Sequence, residues 1–327
     1  MDRGLSNQFM HNLNSGILSP VLNMVNADDT LSLNIRSGYV NIYYRGGSIL
    51  KITERPGGGY SFEFCEKYMA IDPRETGGLP LPSIQKYPLV ITTDADSLVW
   101  VKDVPFLKMI MDLWFGQHPK LEREIQQQIE RSNNCNPSTD YFVCDIEYTG
   151  SDYTELRADM MALHWPSTSQ ARKRNVCDRL AIIEVKHGEG AIAGKSGLID
   201  HIQTLASSKV SLNALAEEMR IVFNQRSELG LIHCHSNSPT SHTVVMESKP
   251  KSSEIQGFEC SRPEYIILLS DVDPASSILA REIGKIDESS LPFDVRIAEA
   301  YAMGYGLFDQ GILSLEDFRA KYLSRKG

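Results

Sequence analysis

The chain of 327 residues lacks most of the features that mark a specialised class. No apolar run approaches the roughly eighteen residues of a membrane span, so no membrane is expected. The six cysteines (Cys65, Cys135, Cys144, Cys177, Cys234 and Cys260) show no CxxC spacing. In a chain of this length that argues for reduced thiols in a cytoplasm, not for a disulfide framework. Basic residues are not in excess: Lys and Arg number 33 against 42 Asp and Glu, for a net charge of −9. This excludes a protein that coats nucleic acid by bulk charge, but not an enzyme with a local basic groove. The opening "MDRGLSNQFMHNLNSG" has neither an apolar core nor a cleavage-site pattern, so no signal peptide is expected. No internal repeat is visible. What is present, 42% hydrophobic and 23% charged residues, is an ordinary globular composition, long enough for two domains or one large one.

Residues 28–72 alternate apolar and polar side chains between Ser-Gly, Gly-Gly and Gly-Gly-Gly turns, the pattern of a small antiparallel meander. Tyr39, Tyr43, Tyr44 and Arg45 in this stretch are either ordinary sheet packing or a stacking, phosphate-contacting face. The segment "TGGLPLPSIQKYP" (Thr76 to Pro88) reads as a linker or long loop. Val104 to Phe115 has helical spacing. Pro119 then opens a second helix, "PKLEREIQQQIERSNN", whose Leu121, Ile125 and Ile129 form one stripe expected to be buried. Three strands are predicted next: Tyr141 to Thr149, Glu155 to Trp165, and Arg179 to His187. A helical region runs from about Ser196 to Arg226, a strand from Glu264 to Asp271, and a helix near Ala275 to Ile286. The tail from Arg296 to Leu323 reads as helix in two pieces. Cys234 to Ser253 and the basic run "SQARKRN" read as exposed loops. The expected organisation is a β-rich N-terminal domain over 1–115 and a mixed α/β domain over 116–327, its central sheet flanked by helices and followed by a helical C-terminal tail.

The chemistry lies in "RLAIIEVKHGEG". An apolar strand ends in Glu184 and Lys186, two apart and therefore on one face. Asp159 precedes the apolar run of the neighbouring strand, so pairing of the two brings Asp159 and Glu184 to one edge. Two carboxylates repel unless a cation lies between them. A hard divalent ion such as Mg²⁺, or Mn²⁺, suits oxygen ligands, keeps several waters and lowers the pKa of one of them. Lys186 is placed to position that water or to steady charge on a phosphate, and the Val185 carbonyl is a further candidate ligand.

An Asp opening one strand, followed by a strand ending in Glu-x-Lys, resembles the PD-(D/E)XK (restriction-endonuclease-like) nuclease superfamily. The matching residues are Asp159 in "LRADMMAL" and Glu184 and Lys186 in "AIIEVK". By order of elements the resemblance covers about residues 116 to 290. It implies a mixed sheet flanked by helices, Asp159, Glu184 and Lys186 as catalytic residues, and Asp159 and Glu184 as metal ligands. A helix acid is also implied, and "KLEREI" offers Glu122 or Glu124; Glu122 lies nearer the apolar stripe and is preferred. The following helix departs from the pattern, with Gly197 and His201 where Gln and Tyr are expected and Gln203 displaced. The implied activity is metal-dependent hydrolysis of phosphodiester bonds, with DNA as the expected substrate, RNA left open, and restriction, repair or phage defence as the range of roles. The N-terminal region is then a recognition or assembly element, for a homo-oligomer or a partner protein.

Three rivals compete. "GEGAIAGKSG" resembles a P-loop, followed by the Walker-B-like "YIILLSD". The glycine that must stand five residues before Gly194, with four residues between, is replaced by Glu189, with Gly188 one position early and Gly190 one late. His233, His235 and His242 beside Cys234 have zinc-binding residue types but no matching cysteine pair. A non-catalytic nucleic-acid-binding or assembly module on the same fold is the alternative to an enzyme.

Overall fold

The computed structural model describes residues 3–71, 87–150, 156–234, 253–273, 276–300 and 307–323. The Thr76–Pro88 linker falls almost wholly outside them, as do His235 and His242. Two short helices, α1 (Asn7–Ser15) and α2 (Ser19–Ala27), come first, with Ser6 capping α1. The antiparallel meander follows: β1 (Leu31–Arg36), β2 (Tyr39–Tyr44), β3 (Gly47–Glu54), β4 (Tyr60–Glu63) and β5 (Val90–Ile91), in that spatial order. Helix α3 (Asp94–Gln117) begins with a capping box between Thr93 and Asp96. Residues 1–115 are thus not simply β-rich: three helices pack on the meander, because its apolar face needs covering.

Helix α4 (Leu121–Asn134) leads into β6 (Tyr141–Thr149) and β7 (Arg157–His164). Next come α5 (Ser169–Arg174), the two-residue β8 (Val176–Cys177) and β9 (Arg179–His187). Helices α6 (Leu198–Ser207) and α7 (Leu212–Glu228) follow, then β10 (Gly257–Phe258), paired with β8, and β11 (Glu264–Ser270). Helix α8 (Ser277–Gly284), β12 (Asp294–Ala300), β13 (Ile312–Ser314) and α9 (Leu315–Phe318) complete the order.

The chain is a mixed α/β protein. Its second sheet has six strands in the order β13-β12-β11-β9-β7-β6. Strands β6, β7 and β9 run antiparallel in succession, β11 and β12 lie parallel to β9, and β13 returns antiparallel. Its interior strands read as near-continuous apolar runs because helices cover both faces. On one face Ile125 and Ile129 of α4 pack with Met160, Ile183 and Val185. On the other, Ile202 of α6 and Phe223 of α7 join the cluster holding Met161, Ile182 and Ile267. That second cluster continues without interruption into the core of the N-terminal meander. Among the described residues no helix is long and apolar enough to cross a membrane.

Several expectations are corrected. Leu121 does not join the α4 stripe; it is 51% exposed at the start of the helix. Of the two helical pieces expected in the tail, the first is strand: Asp294–Ala300 aligns with β11, and burial of Val295 and Ile297 fixes its period of two, while Leu315–Phe318 is helical. A free edge beside β11 overrides the helical propensity of its alanines. "SQARKRN" is a short helix, not a solvated loop: Arg172 is buried over the Phe142 and Trp165 rings and donates to the Pro166 carbonyl. Tyr43 and Arg45 are sheet and interface residues. The Tyr43 hydroxyl receives Arg36, and Arg45 pairs with Asp112 and Glu124.

The meander meets the larger sheet through a buried polar seam. Strand β1 is buried on both faces, including Ser32, Asn34 and Arg36. Asn34 donates to Glu130, which pairs with Arg226. Asp145 on β6 receives both Arg3 and Arg36. Gly46 allows the closest approach, since a Cβ there would stand 2.4 Å from the Arg123 backbone. Its amide donates to Gln127 of α4 at 2.7 Å.

Candidate active site

Register sets the site. The pairing of β7 with β9 ends at Met160 and Ile183, one step short of Asp159 and Glu184, whose carboxylates are close enough to act on each other. At this step the Asp159 side chain replaces the ladder: its Oδ2 accepts the Val185 N–H at 2.8 Å. Lys186, two residues beyond Glu184, donates from Nζ to Glu184 Oε1 at 2.8 Å and to the Ser196 carbonyl at 3.1 Å. His201 of α6 brings Nδ1 to 2.7 Å from the same Glu184 oxygen.

The pair is not at a sheet edge. Strand β9 lies inside the sheet, and Glu184 and Lys186 are each only 4% exposed. Desolvating such a pair costs several kcal/mol that its mutual attraction need not recover, whereas an apolar pair of similar size would fold as well or better. The charges are therefore poorly explained by stability. Burial, and then the charge of Glu184, hold the Asp159 carboxyl well above the usual carboxylate range. Burial pushes Glu184 the same way, but the His201 hydrogen bond and the Lys186 charge outweigh it and lower its pKa. Burial, then Glu184 and Asp159, also raise the Tyr265 phenol on β11.

The loop after β9 closes on the site. Gly188 and Gly194 take positive φ, and so does Ser196 at 61°, a conformation that costs a non-glycine residue about 1 kcal/mol or more. The Ser196 carbonyl turned by that strain is the one Lys186 holds. Leu198 N–H returns to the Ile192 carbonyl, and a 3₁₀ turn fills Glu189–Ala191. The loop thus presents a carbonyl to the site, which is the opposite polarity from a phosphate cradle.

The structure brings Asp159, Glu184 and Lys186 together but does not gather Glu122 with them. Glu122 Oε1 takes the His187 N–H at a long 3.4 Å, while Glu124 is committed to Arg45. Among the described residues no three His, Cys, Asp or Glu side chains are grouped to hold a metal ion. Helix α4, which carries Glu122, packs on the face of Ile183 and Val185, opposite the one bearing Glu184. Two residues were not assigned to the site from the sequence. His201 was visible as a helix residue following Glu-x-Lys, although out of pattern. Tyr265 had no signal, because only the pairing of Tyr265 with Ile182 places it beside Glu184.

No family model matches the chain, and no curated protein or solved structure matches it. The site must be judged on its own chemistry.

Proposed function

We propose that the chain is a divalent-metal-dependent nuclease with a restriction-endonuclease-like core, hydrolysing phosphodiester bonds, with DNA as the expected substrate. One observation carries this reading: Asp159 and Glu184 lie close together on adjacent antiparallel strands, with Lys186 bonded to Glu184 in a buried setting. The order of elements gives further support, with α4, the antiparallel run β6, β7 and β9, then helices, then β11 parallel to β9.

The donors fit a hard cation. Both are carboxylates, and Asp159 sits above its ordinary range partly because Glu184 is near, a repulsion that a divalent ion relieves. Mg²⁺ commonly uses one or two carboxylates and retains water, so two protein ligands suffice without Glu122. Asp159 and Glu184 would hold Mg²⁺ or Mn²⁺, and the ion would supply a water of lowered pKa. The Val185 N–H orients Asp159 by fixing one of its oxygens. Lys186 supplies a fixed positive charge for a phosphate oxygen, and the Ser196 carbonyl keeps its ammonium in place. Restriction, repair and phage defence remain the range of roles.

The second reading, a nucleic-acid-binding or assembly module without cleavage, draws on a specific contact: Glu184 Oε1 is already matched by Lys186 and His201. A panel of plasmid, linear and single-stranded DNA and RNA, incubated with Mg²⁺ or Mn²⁺, separates the two. Cleavage lost in Asp159→Ala and Lys186→Ala is the expected result. An intact panel under every condition sinks the nuclease.

A further inference from the structure

We infer that the cavity beside Glu184 is a phosphate subsite, where Arg157 and the Thr204 hydroxyl hold a backbone phosphate of the nucleic-acid strand next to the one being cleaved. The inference rests on the nuclease reading of the neighbouring Asp159 and Glu184.

A cavity of about 160 Å³ lies between the start of β7, β9 and α6. Arg157, Glu184, Asp200, His201 and Thr204 form its polar wall. Three of these groups are engaged within the chain. Glu184 receives Lys186 at 2.8 Å and has His201 Nδ1 at 2.7 Å. Asp200 accepts the Ser196 N–H at 3.2 Å. Arg157 and Thr204 differ: both are exposed, and neither side chain has a hydrogen-bond or ion-pair partner among the described residues. Exposure puts both donors within reach of a ligand arriving from solvent. Place distinguishes Arg157 from other surface cations, since it stands two residues before Asp159 and shares a cavity wall with Glu184.

Charge decides what enters. The Lys186 ammonium is divided between Glu184 and the Ser196 carbonyl, and the chain carries a net charge of −9. A polyanionic strand approaching two carboxylates therefore needs a further cation where it arrives. Arg157 is the uncommitted cation of this cavity. Its guanidinium offers parallel N–H donors that match the oxygens of a phosphate, and the Thr204 hydroxyl can add another. Because Glu184 lines the same cavity, a phosphate held there sets its neighbour along the strand at the reacting carboxylates. Such a contact positions the strand without reading its bases.

The test follows fluorescein-labelled DNA, as single strand and as duplex, binding to the full chain by anisotropy in Ca²⁺ buffer over a series of salt concentrations. Arg157→Ala should weaken binding about tenfold. It should also reduce the dependence of log K on log salt by about 0.7 for a single strand or about 0.9 for a duplex, the share of one phosphate. Arg157→Lys, which keeps the charge and loses the fork, should restore the salt dependence but only part of the affinity. Thr204→Val should cost about threefold. Lys173→Ala removes an equally exposed cation on α5 and should bind like the parent. No binding of either DNA, an Arg157→Ala variant with parental affinity and salt dependence, or an equal loss in Lys173→Ala would overturn the subsite. Cleavage assays with Mg²⁺ separate the two readings. Cleavage by Arg157→Ala at the parental KM overturns the subsite and leaves the nuclease. Arg157-dependent binding without cleavage of any substrate supports the subsite and overturns the nuclease.

Discussion

At its start, β9 places Arg179 between Asp178 at 2.9 Å and Asp294 at 2.8 Å; at its end it places Glu184 against Lys186, His201 and Asp159. The first cluster is balanced. His164 reaches Asp178 and Asp309, each at 3.0 Å, and Arg262 takes the other oxygen of Asp294. The His164 hydrogen bond, working against burial and helped by Arg179, draws Asp178 down to about 2. Burial opposes charge on His164, but Asp178, Asp309 and Glu264 raise it to about 9. The second cluster holds Asp159 in the opposite direction from Asp178, away from its charged form. One strand thus ends in ion pairs that favour the folded chain at one end and in a carboxylate held against its preference at the other. Groups perturbed in that unfavourable sense concentrate where chemistry is done.

The widest separation between the two ends should appear in activity. Lys186→Ala should slow phosphodiester cleavage by about 10²–10⁴-fold, or about 3–5 kcal/mol of barrier. Arg179→Ala should leave the rate per folded molecule unchanged. Equal rate losses in single-turnover assays would erase the distinction. In stability the order should reverse: Asp178→Ala, which removes one partner from each of His164 and Arg179, should cost about 1–3 kcal/mol in urea unfolding.

The pH dependence sharpens the balanced end. The His164 contribution should be complete below its unfolded value of 6.5 and lost as pH rises through about 9. The Asp178 contribution should be present above 3.8 and lost as pH falls through about 2. Unfolding midpoints measured from pH 6 to 10 should therefore fall on the alkaline side, and His164→Gln should flatten that fall. The smallest effect is expected from Asp159→Asn, which keeps an acceptor for the Val185 N–H and removes the repulsion with Glu184. It should stabilise the metal-free protein by up to about 1 kcal/mol near pH 7. A loss of stability there would show that Asp159 carries no electrostatic penalty.

Much of the larger sheet was legible, since β6 and β9 begin and end where their apolar runs do. Long apolar strands bounded by turns need little tertiary information to be recognised. Strand β12 was not legible, because "RIAEA" favours helix until a neighbouring strand offers hydrogen bonds. At the site, Asp159, Glu184 and Lys186 could be found from spacing along two strands. His201 and Tyr265 could not, because their approach depends on helix packing and on the parallel register of β11. The same limit applies to Glu122: helical angle indicates which side of α4 it occupies, not which face of the sheet α4 covers.

The buried seam along β1 also sets a timetable. Asn34 shares Glu130 with Arg226 and itself bonds Arg226 across 192 residues of chain. At roughly 5–20 residues per second of synthesis, that partner emerges about 10–40 s after Asn34 does. Until then Asn34 and Glu130 lack that cation. Strand β1 is made long before its surroundings are complete, and a ribosome that stalls before Arg226 should leave it open to proteases and chaperones.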